Sequence, residues 1–259
     1  MADWITTYRY AHRGLHDAKS DLPENSLAAF RAAATHGYGI ELDVQLAACV
    51  TPVVFHDFTL DRMTGETGYV HTQTAASLST LPLAGTGEKI PLLADLLAEI
   101  GGRVPLLIEL KIAPRQRIGP LEQAVAHLLD AYHGPVAVQS FTPESVGWFA
   151  EMAPEFIRGQ IAADFIRRPD QGMSWQDRLD WTKLWRSDVS QPHFVSYHVR
   201  DLPNPASRAV RRAGIPLICW TVRSEDQRAL AEIHADSYIF EGFTPDPMFG
   251  NRNRAKLNL

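Results

Sequence analysis

The 259-residue chain has only two cysteines, Cys49 and Cys219, neither with a metal-type partner nearby in sequence. That argues against a disulfide framework or a thiolate zinc site and fits a reducing compartment. No run of about 18 apolar residues occurs, and the opening MADWITTYRY lacks the apolar stretch of a signal peptide. The expectation is a soluble, cytoplasmic protein without stable membrane insertion. An excess of positive charge is missing too, since 25 Lys and Arg face 30 Asp and Glu for a net charge of -5. With no global basic field to hold a polyanion, nucleic acid is not an expected partner, although a local anion site is still allowed. Internal repeats, low-complexity tracts and interdomain linkers are absent as well, and nothing in the sequence bears on oligomeric state.

What is present is alternation. Short apolar, β-branched runs fall at Tyr8–His12, Ile40–Gln45, Val53–His56, Leu106–Lys111, Val136–Phe141, Ile157–Ile161, Phe194–Tyr197, Leu217–Val222 and Ser237–Phe240. Between them lie helical patterns at Asn25–His36, Leu92–Ile100, Ile118–Tyr132, Pro143–Met152, Trp175–Trp185, Pro205–Ala213 and Ser224–His234. Gly37, Gly134 and Gly214 sit just past helical patterns, where a C-terminal cap needs positive φ, and Ser224 opens one with a capping oxygen. Strand-then-helix units over a chain of this length predict a parallel sheet, and eight such units close most simply as a single (β/α)8 barrel, a TIM barrel. A doubly wound open sheet is the alternative, weakened because no Gly-x-Gly-x-x-Gly follows the first strand. The weakly periodic segment at about 64–91 reads as an insertion over the catalytic mouth, too short to hold its own core.

The chemistry follows from strand faces. In IELDVQ the period of two sends Ile40, Leu42 and Val44 to one face and Glu41, Asp43 and Gln45 to the other. In LLIELK the same rule turns Glu109 and Lys111 inward. Inward residues at the carboxyl ends of barrel strands converge on one mouth, so Glu41, Asp43 and Glu109 are predicted to meet. Three anions in a low dielectric call for a cation, and an all-oxygen set suits one Mg²⁺ or Ca²⁺. The bland alternative is a plain ion pair, Glu109 with Lys111 for example, or solvated carboxylates. His12 and His56 end strands facing the same mouth, and two imidazoles there supply an acid and a base for one displacement. Asp57 either orients His56 or caps the following loop. Arg13 and Lys111 would cage a phosphate diester, whose nonbridging oxygens gain charge during displacement. The remaining histidines, His16 among them, are read as structural or solvated.

The chain resembles the glycerophosphodiester phosphodiesterase family. The resemblance rests on His12-Arg13-Gly14, Pro23-Glu24-Asn25-Ser26, Glu41-Leu42-Asp43-Val44 and His56-Asp57, in that order, and continues through TLDRMTGETG, IELK, QSF and CWTV over nearly the whole chain. It implies one barrel domain spanning residues 1–259 that hydrolyses a small-molecule glycerophosphodiester to glycerol 3-phosphate and an alcohol with a divalent metal. It assigns the metal ligands to Glu41, Asp43 and Glu109 and the catalytic histidines to His12 and His56. Phosphate and substrate contacts fall on Arg13, Lys111 and Trp220, the last with ordinary packing as its alternative. The implied course is attack of the glycerol 2-hydroxyl on phosphorus, then opening of the cyclic phosphate by water, with His56 as first base and His12 as first acid. Glu24 and Asn25 are read as supports of the site or the cap of the first helix.

Two departures stand out. The family's Asp-Gly turn is replaced by Cys49-Val50, which predicts a different turn conformation, since Val strains at positive φ. Phe240-Glu241-Gly242-Phe243 replaces a Thr-Asp and Pro pattern, which leaves the last strand without an expected role in the pocket. Two other functions remain open at this point: a phospholipase D acting on lysophospholipids, and a catalytically silent binding barrel.

Overall fold

In the computed structural model, which describes residues 3–113, 115–167 and 173–248, eight parallel strands close on themselves. They are β1 (Tyr10–Ala11), β2 (Gly39–Leu46), β4 (Leu106–Leu110), β5 (Val136–Ser140), β6 (Ile157–Ala162), β7 (Phe194–His198), β8 (Leu217–Val222) and β9 (Ser237–Phe240). Closure comes from β1, which pairs with β2 on one side and β9 on the other. The remaining strand, β3 (Pro52–Val54), folds back antiparallel on β2 as a hairpin outside the barrel. The expected (β/α)8 barrel is therefore the observed one.

Alternation decides the two cores. Ile40, Leu42 and Val44 of β2 and Leu106, Ile108 and Leu110 of β4 join the large apolar layer between barrel and helices, together with Phe30, Leu96, Val125 and Phe149. The inward side chains split by height. Near the amino ends Tyr10, Leu107, Ala137, Phe194, Ile218 and Ile239 fill the barrel, and Ile5 of the short helix Trp4–Thr7 closes the floor beneath them. Near the carboxyl ends the inward positions turn polar, with Glu41, Asp43, Glu109, Gln139 and Ser196 all buried.

Helix boundaries move inward from the sequence pattern where caps intervene. The first long helix runs over Leu27–Thr35 because the Ser26 side chain accepts from Ala29 N, while Asn25 is diverted at φ 57. Pro143–Met152 matches its expected span, with proline at the first turn.

The insertion departs from expectation in one respect. Leu60, Met63, Val70, Ala75, Leu78, Leu83 and Ile90 pack with Ala47, Val53 and Phe55 in an apolar cluster of their own. The segment lacks enough apolar surface alone, so it completes its cluster with the hairpin and the chain after β3.

The Cys49-Val50 turn corrects a second expectation. Val50 adopts φ 58 and its N–H donates to Ala47 O at 3.1 Å, so the left-handed turn is kept without the glycine. Val50 is 55% exposed, which leaves its strain unrelieved by packing.

Candidate active site

The site begins with the backbone at His12-Arg13-Gly14. His12 N donates to Phe240 O at 2.9 Å, which extends the β1 to β9 seam by one residue. The chain then turns sharply, with Arg13 at φ 55 and Gly14 at φ 83. A side chain at Gly14 would meet the Ala29 backbone at 2.9 Å, so only glycine lets this turn lie against the first helix. The strained Arg13 conformation aims its own N–H at Glu41 Oε2, 3.1 Å away.

The predicted carboxylates do meet. Glu41, Asp43 and Glu109 are buried and each offers an oxygen within 4.8 Å of the other two. Asp43 and Glu109 stand opposite one another in the β2/β4 register. Lys111 Nζ lies 2.8 Å from Glu109 Oε1 and 3.4 Å from Asp43 Oδ1. Arg13 Nε lies 3.3 Å from Asp43 Oδ2, in ion-pair range but not aligned as a hydrogen bond, and no described residue accepts from it. Asn25 Nδ2 donates to Asp43 Oδ2 at 2.9 Å, so Asn25 supports the acid cluster rather than capping the helix.

The charges sort unequally. Burial would raise Asp43, but Lys111, His56, Arg13 and the Asn25 hydrogen bond outweigh it and hold the carboxyl well below its usual range. Glu41 goes the other way: burial, followed by repulsion from Asp43 and Glu109, pushes it well up, and Arg13 does not compensate. Burial also opposes the cations, yet Glu109 and Asp43 keep Lys111 charged, and Asp43, Glu24 and Glu41 do the same for Arg13. Two cations thus face three carboxylates, and Glu41 is the one left without enough positive charge beside it. That is the donor set and charge deficit of an oxygen-ligated divalent cation, so the residues fit one.

Both histidines are held by carboxylates. His56 Nδ1 is 2.6 Å from Asp57 Oδ1, which settles Asp57 as the orienting partner of His56. Gln45, the third inward residue of IELDVQ, fixes that loop by donating to Phe55 O at 2.8 Å and Asp57 O at 2.6 Å. His12 Nδ1 is 2.7 Å from Glu241 Oε2. Burial, only partly offset by the Glu241 hydrogen bond, lowers His12 to about 4 and keeps its imidazole neutral near pH 7. Glu241, reached from the end of β9, also accepts from Arg223 Nη2 at 2.7 Å, and these partners overcome its burial to hold it ionised. The sequence assigns this strand end no role; its one signal is the acidic residue at the position of the family's Asp. Arg62, on the short helix Asp61–Thr64 that leads into the insertion, bonds both Asp57 (2.6 and 3.0 Å) and Glu24 (2.7 and 2.9 Å). Glu24 in turn accepts from Arg13 Nη1 at 2.7 Å, so one guanidinium ties the loops of both histidines together.

A small cavity opens among these groups, lined by His12, Glu41, Glu109, Gln139, Ile161, Ser196, Trp220 and Ile239. Gln139 Oε1 and Ser196 Oγ are buried without a partner among the described residues. Trp220 anchors its Nε1 on Ser196 O at 3.0 Å and meets Phe141 edge-on at 5.4 Å. Phe141 continues to Phe165 and Trp181, forming an aromatic wall on the side opposite His56 in strand order.

Two carboxylate-held histidines beside a buried acidic cluster that fits a cation, set at the carboxyl rim of a (β/α)8 barrel, place the molecule among the phosphodiesterases of this fold. The profile of the glycerophosphoryl diester phosphodiesterase family matches residues 12–252, and the chain belongs to that family. The Bacillus subtilis protein YhdW is 33% identical over 88% of this chain and 90% of its own length. The glycerophosphodiester phosphodiesterase of Caldanaerobacter subterraneus is 30% identical, covering 94% and 96%. Among solved structures, an Oleispira antarctica phosphodiesterase in complex with the product sn-glycerol-3-phosphate shares the fold at TM-score 0.74 and 23% identity, covering 90% of this chain and 92% of that one. No described helix is long and apolar enough to cross a membrane.

Proposed function

We propose that this chain hydrolyses glycerophosphodiesters to sn-glycerol 3-phosphate and an alcohol, with Glu41, Asp43 and Glu109 holding one Mg²⁺ or Ca²⁺. The observation that carries the site assignment is the unbalanced third carboxylate between two histidines that each have a carboxylate partner. When bound, the cation supplies the positive charge that offsets the anionic oxygens of the phosphodiester during displacement.

The chain's own groups do the rest. Arg13, whose Nε lacks an aligned acceptor, and Lys111 hold the nonbridging oxygens. On the cavity wall, buried Gln139 Oε1 accepts from a glycerol hydroxyl, and Ser196 Oγ accepts from or donates to one. Burial keeps His12 neutral, which favours it as the base that takes the 2-hydroxyl proton; the 2-oxygen attacks phosphorus while His56 protonates the departing alcohol. Those roles reverse the assignment expected from sequence. In the second step His56 takes a proton from water, water oxygen bonds to phosphorus, and His12 returns its proton to the 2-oxygen as the ring opens. Glu241 and Asp57 keep Nδ1 of each imidazole engaged, so that Nε2 faces the reaction.

The test is release of glycerol 3-phosphate from glycerophosphocholine with and without EDTA, beside a lysophosphatidylcholine control. Metal-dependent turnover of the soluble diester is expected. The aromatic wall from Trp220 to Trp181 gives lysophospholipids a specific claim as a second substrate class, and turnover of the lipid alone would favour it. Turnover of neither would reject the enzymatic reading.

A further inference from the structure

Next to the carboxylate trio stands a second set of ligand atoms. His12, His16 and Glu241 each offer one within 4.8 Å of the other two. The three come from the loop after β1 and the end of β9, and all are partly buried. Two imidazoles and one carboxylate make a donor set quite unlike Glu41, Asp43 and Glu109. The all-oxygen trio suits hard cations, whereas mixed nitrogen and oxygen ligands suit borderline ions such as Zn²⁺, with three protein ligands leaving a fourth position open.

His16 is the residue that the phosphodiester reading does not use. Among the described residues no hydrogen bond or ion pair holds its ring, although it is packed beside His12 and Glu241. Its ring nitrogens are therefore not committed to any described group and are available to a ligand. Two cations oppose an ion here: Arg223, bonded to Glu241 Oε2, and Arg13, next to His12 in sequence. Arg223 has a side chain 51% exposed and is free to swing into solvent, and Glu241 has a second oxygen to offer. The opposition makes the site exchangeable rather than permanent.

We infer that His12, His16 and Glu241 form an inhibitory site for a transition-metal ion of the Zn²⁺ type, separate from the Mg²⁺ or Ca²⁺ position. An ion there takes His12 away from Glu241 and out of proton transfer. The inhibitory half rests on the reading of His12 as a proton carrier, and the site itself does not.

The experiment titrates Zn²⁺ into the wild-type chain and into His16→Gln and His16→Ala under excess Mg²⁺, following zinc by equilibrium dialysis and turnover of glycerophosphocholine in parallel. Co²⁺ serves as a spectroscopic probe. The wild type should bind one zinc that Mg²⁺ does not displace, lose turnover as it binds, and give the intense visible bands of four-coordinate Co²⁺. Both variants should turn over normally with Mg²⁺ alone, and their zinc affinity and inhibition should weaken together by at least roughly tenfold, since even outer partners of a metal ligand are worth that much. Zinc displaced by excess Mg²⁺, or bound equally by wild type and variants, would overturn the site. Zinc held through His16 with turnover intact would instead overturn the inhibitory half and the catalytic reading of His12. The wild-type cobalt spectrum and the Mg²⁺ competition decide the matter even if a variant folds poorly.

Discussion

Replacing Glu241 by glutamine tests the pairing that sequence reading did not find. The amide oxygen can still accept from His12 Nδ1, so ring orientation survives, but the negative charge that stabilises the protonated imidazole is lost. The wild-type contact is short, 2.7 Å, with side chains 11% and 24% exposed, so little solvent screens it. A hydrogen bond to a charged group in such a setting is worth about 2 kcal/mol, which corresponds to about 30-fold in kcat. KM should change little, because Glu241 does not line the cavity. The pH profile gives an independent sign. The Glu241 hydrogen bond raises His12 against the dominant lowering by burial. Its loss should push His12 further below about 4 and move the acid limb of kcat/KM to lower pH. Steady-state kinetics between pH 4 and 8, with thermal unfolding as a check on folding, measure both effects. A kcat within twofold of wild type, or an acid limb that moves upward, would refute the pairing as functional.

Glu41→Gln should abolish the rise in melting temperature that Mg²⁺ or Ca²⁺ gives the wild type, a rise that at 100 times the dissociation constant represents about 2.7 kcal/mol. Because Glu41 is raised from 4.5 in the folded, metal-free state, that protein should lose stability relative to the glutamine variant as pH rises above about 4.5, by up to about 1.4 kcal/mol per pH unit; parallel curves would show that Glu41 carries no such strain. Arg62→Ala removes the four hydrogen bonds to Asp57 and Glu24 from a side chain 47% exposed. The melt should drop by only about 1 kcal/mol while kcat falls roughly tenfold through loosened imidazole positioning, with partial recovery on adding guanidinium; unchanged kcat would remove Arg62 from the site. Val50→Gly should raise stability by about 1 kcal/mol, or about 2 °C in melting temperature, and a lower melt would mean the left-handed turn is not strained.

The sequence showed most where a strand is buried on both faces. Period-two alternation alone placed Glu41, Asp43 and Gln45 on the inner side of β2, because a one-residue slip would have put carboxylates into the apolar layer with Phe30 and Leu96. Ends of elements were harder. The expected strand Tyr8–His12 shrinks to Tyr10–Ala11, and Asn25 leaves the helix to serve Asp43, since tertiary partners compete with local pattern there. The pairing of Glu241 with His12 was illegible for a related reason: the two lie 229 residues apart and meet only when β9 closes on β1. The insertion showed weak periodicity because half of the buried cluster it completes lies outside it, in the hairpin and the chain after β3.

The filled floor under the cavity has a kinetic consequence. With Tyr10, Phe194 and Ile5 stopping the lower end, the alcohol, the attacking water and the phosphomonoester all share the upper doorway. The first leaving fragment must clear that passage before water can approach phosphorus from the same direction, so a bulky alcohol that departs slowly should retard ring opening even when the initial cleavage is fast.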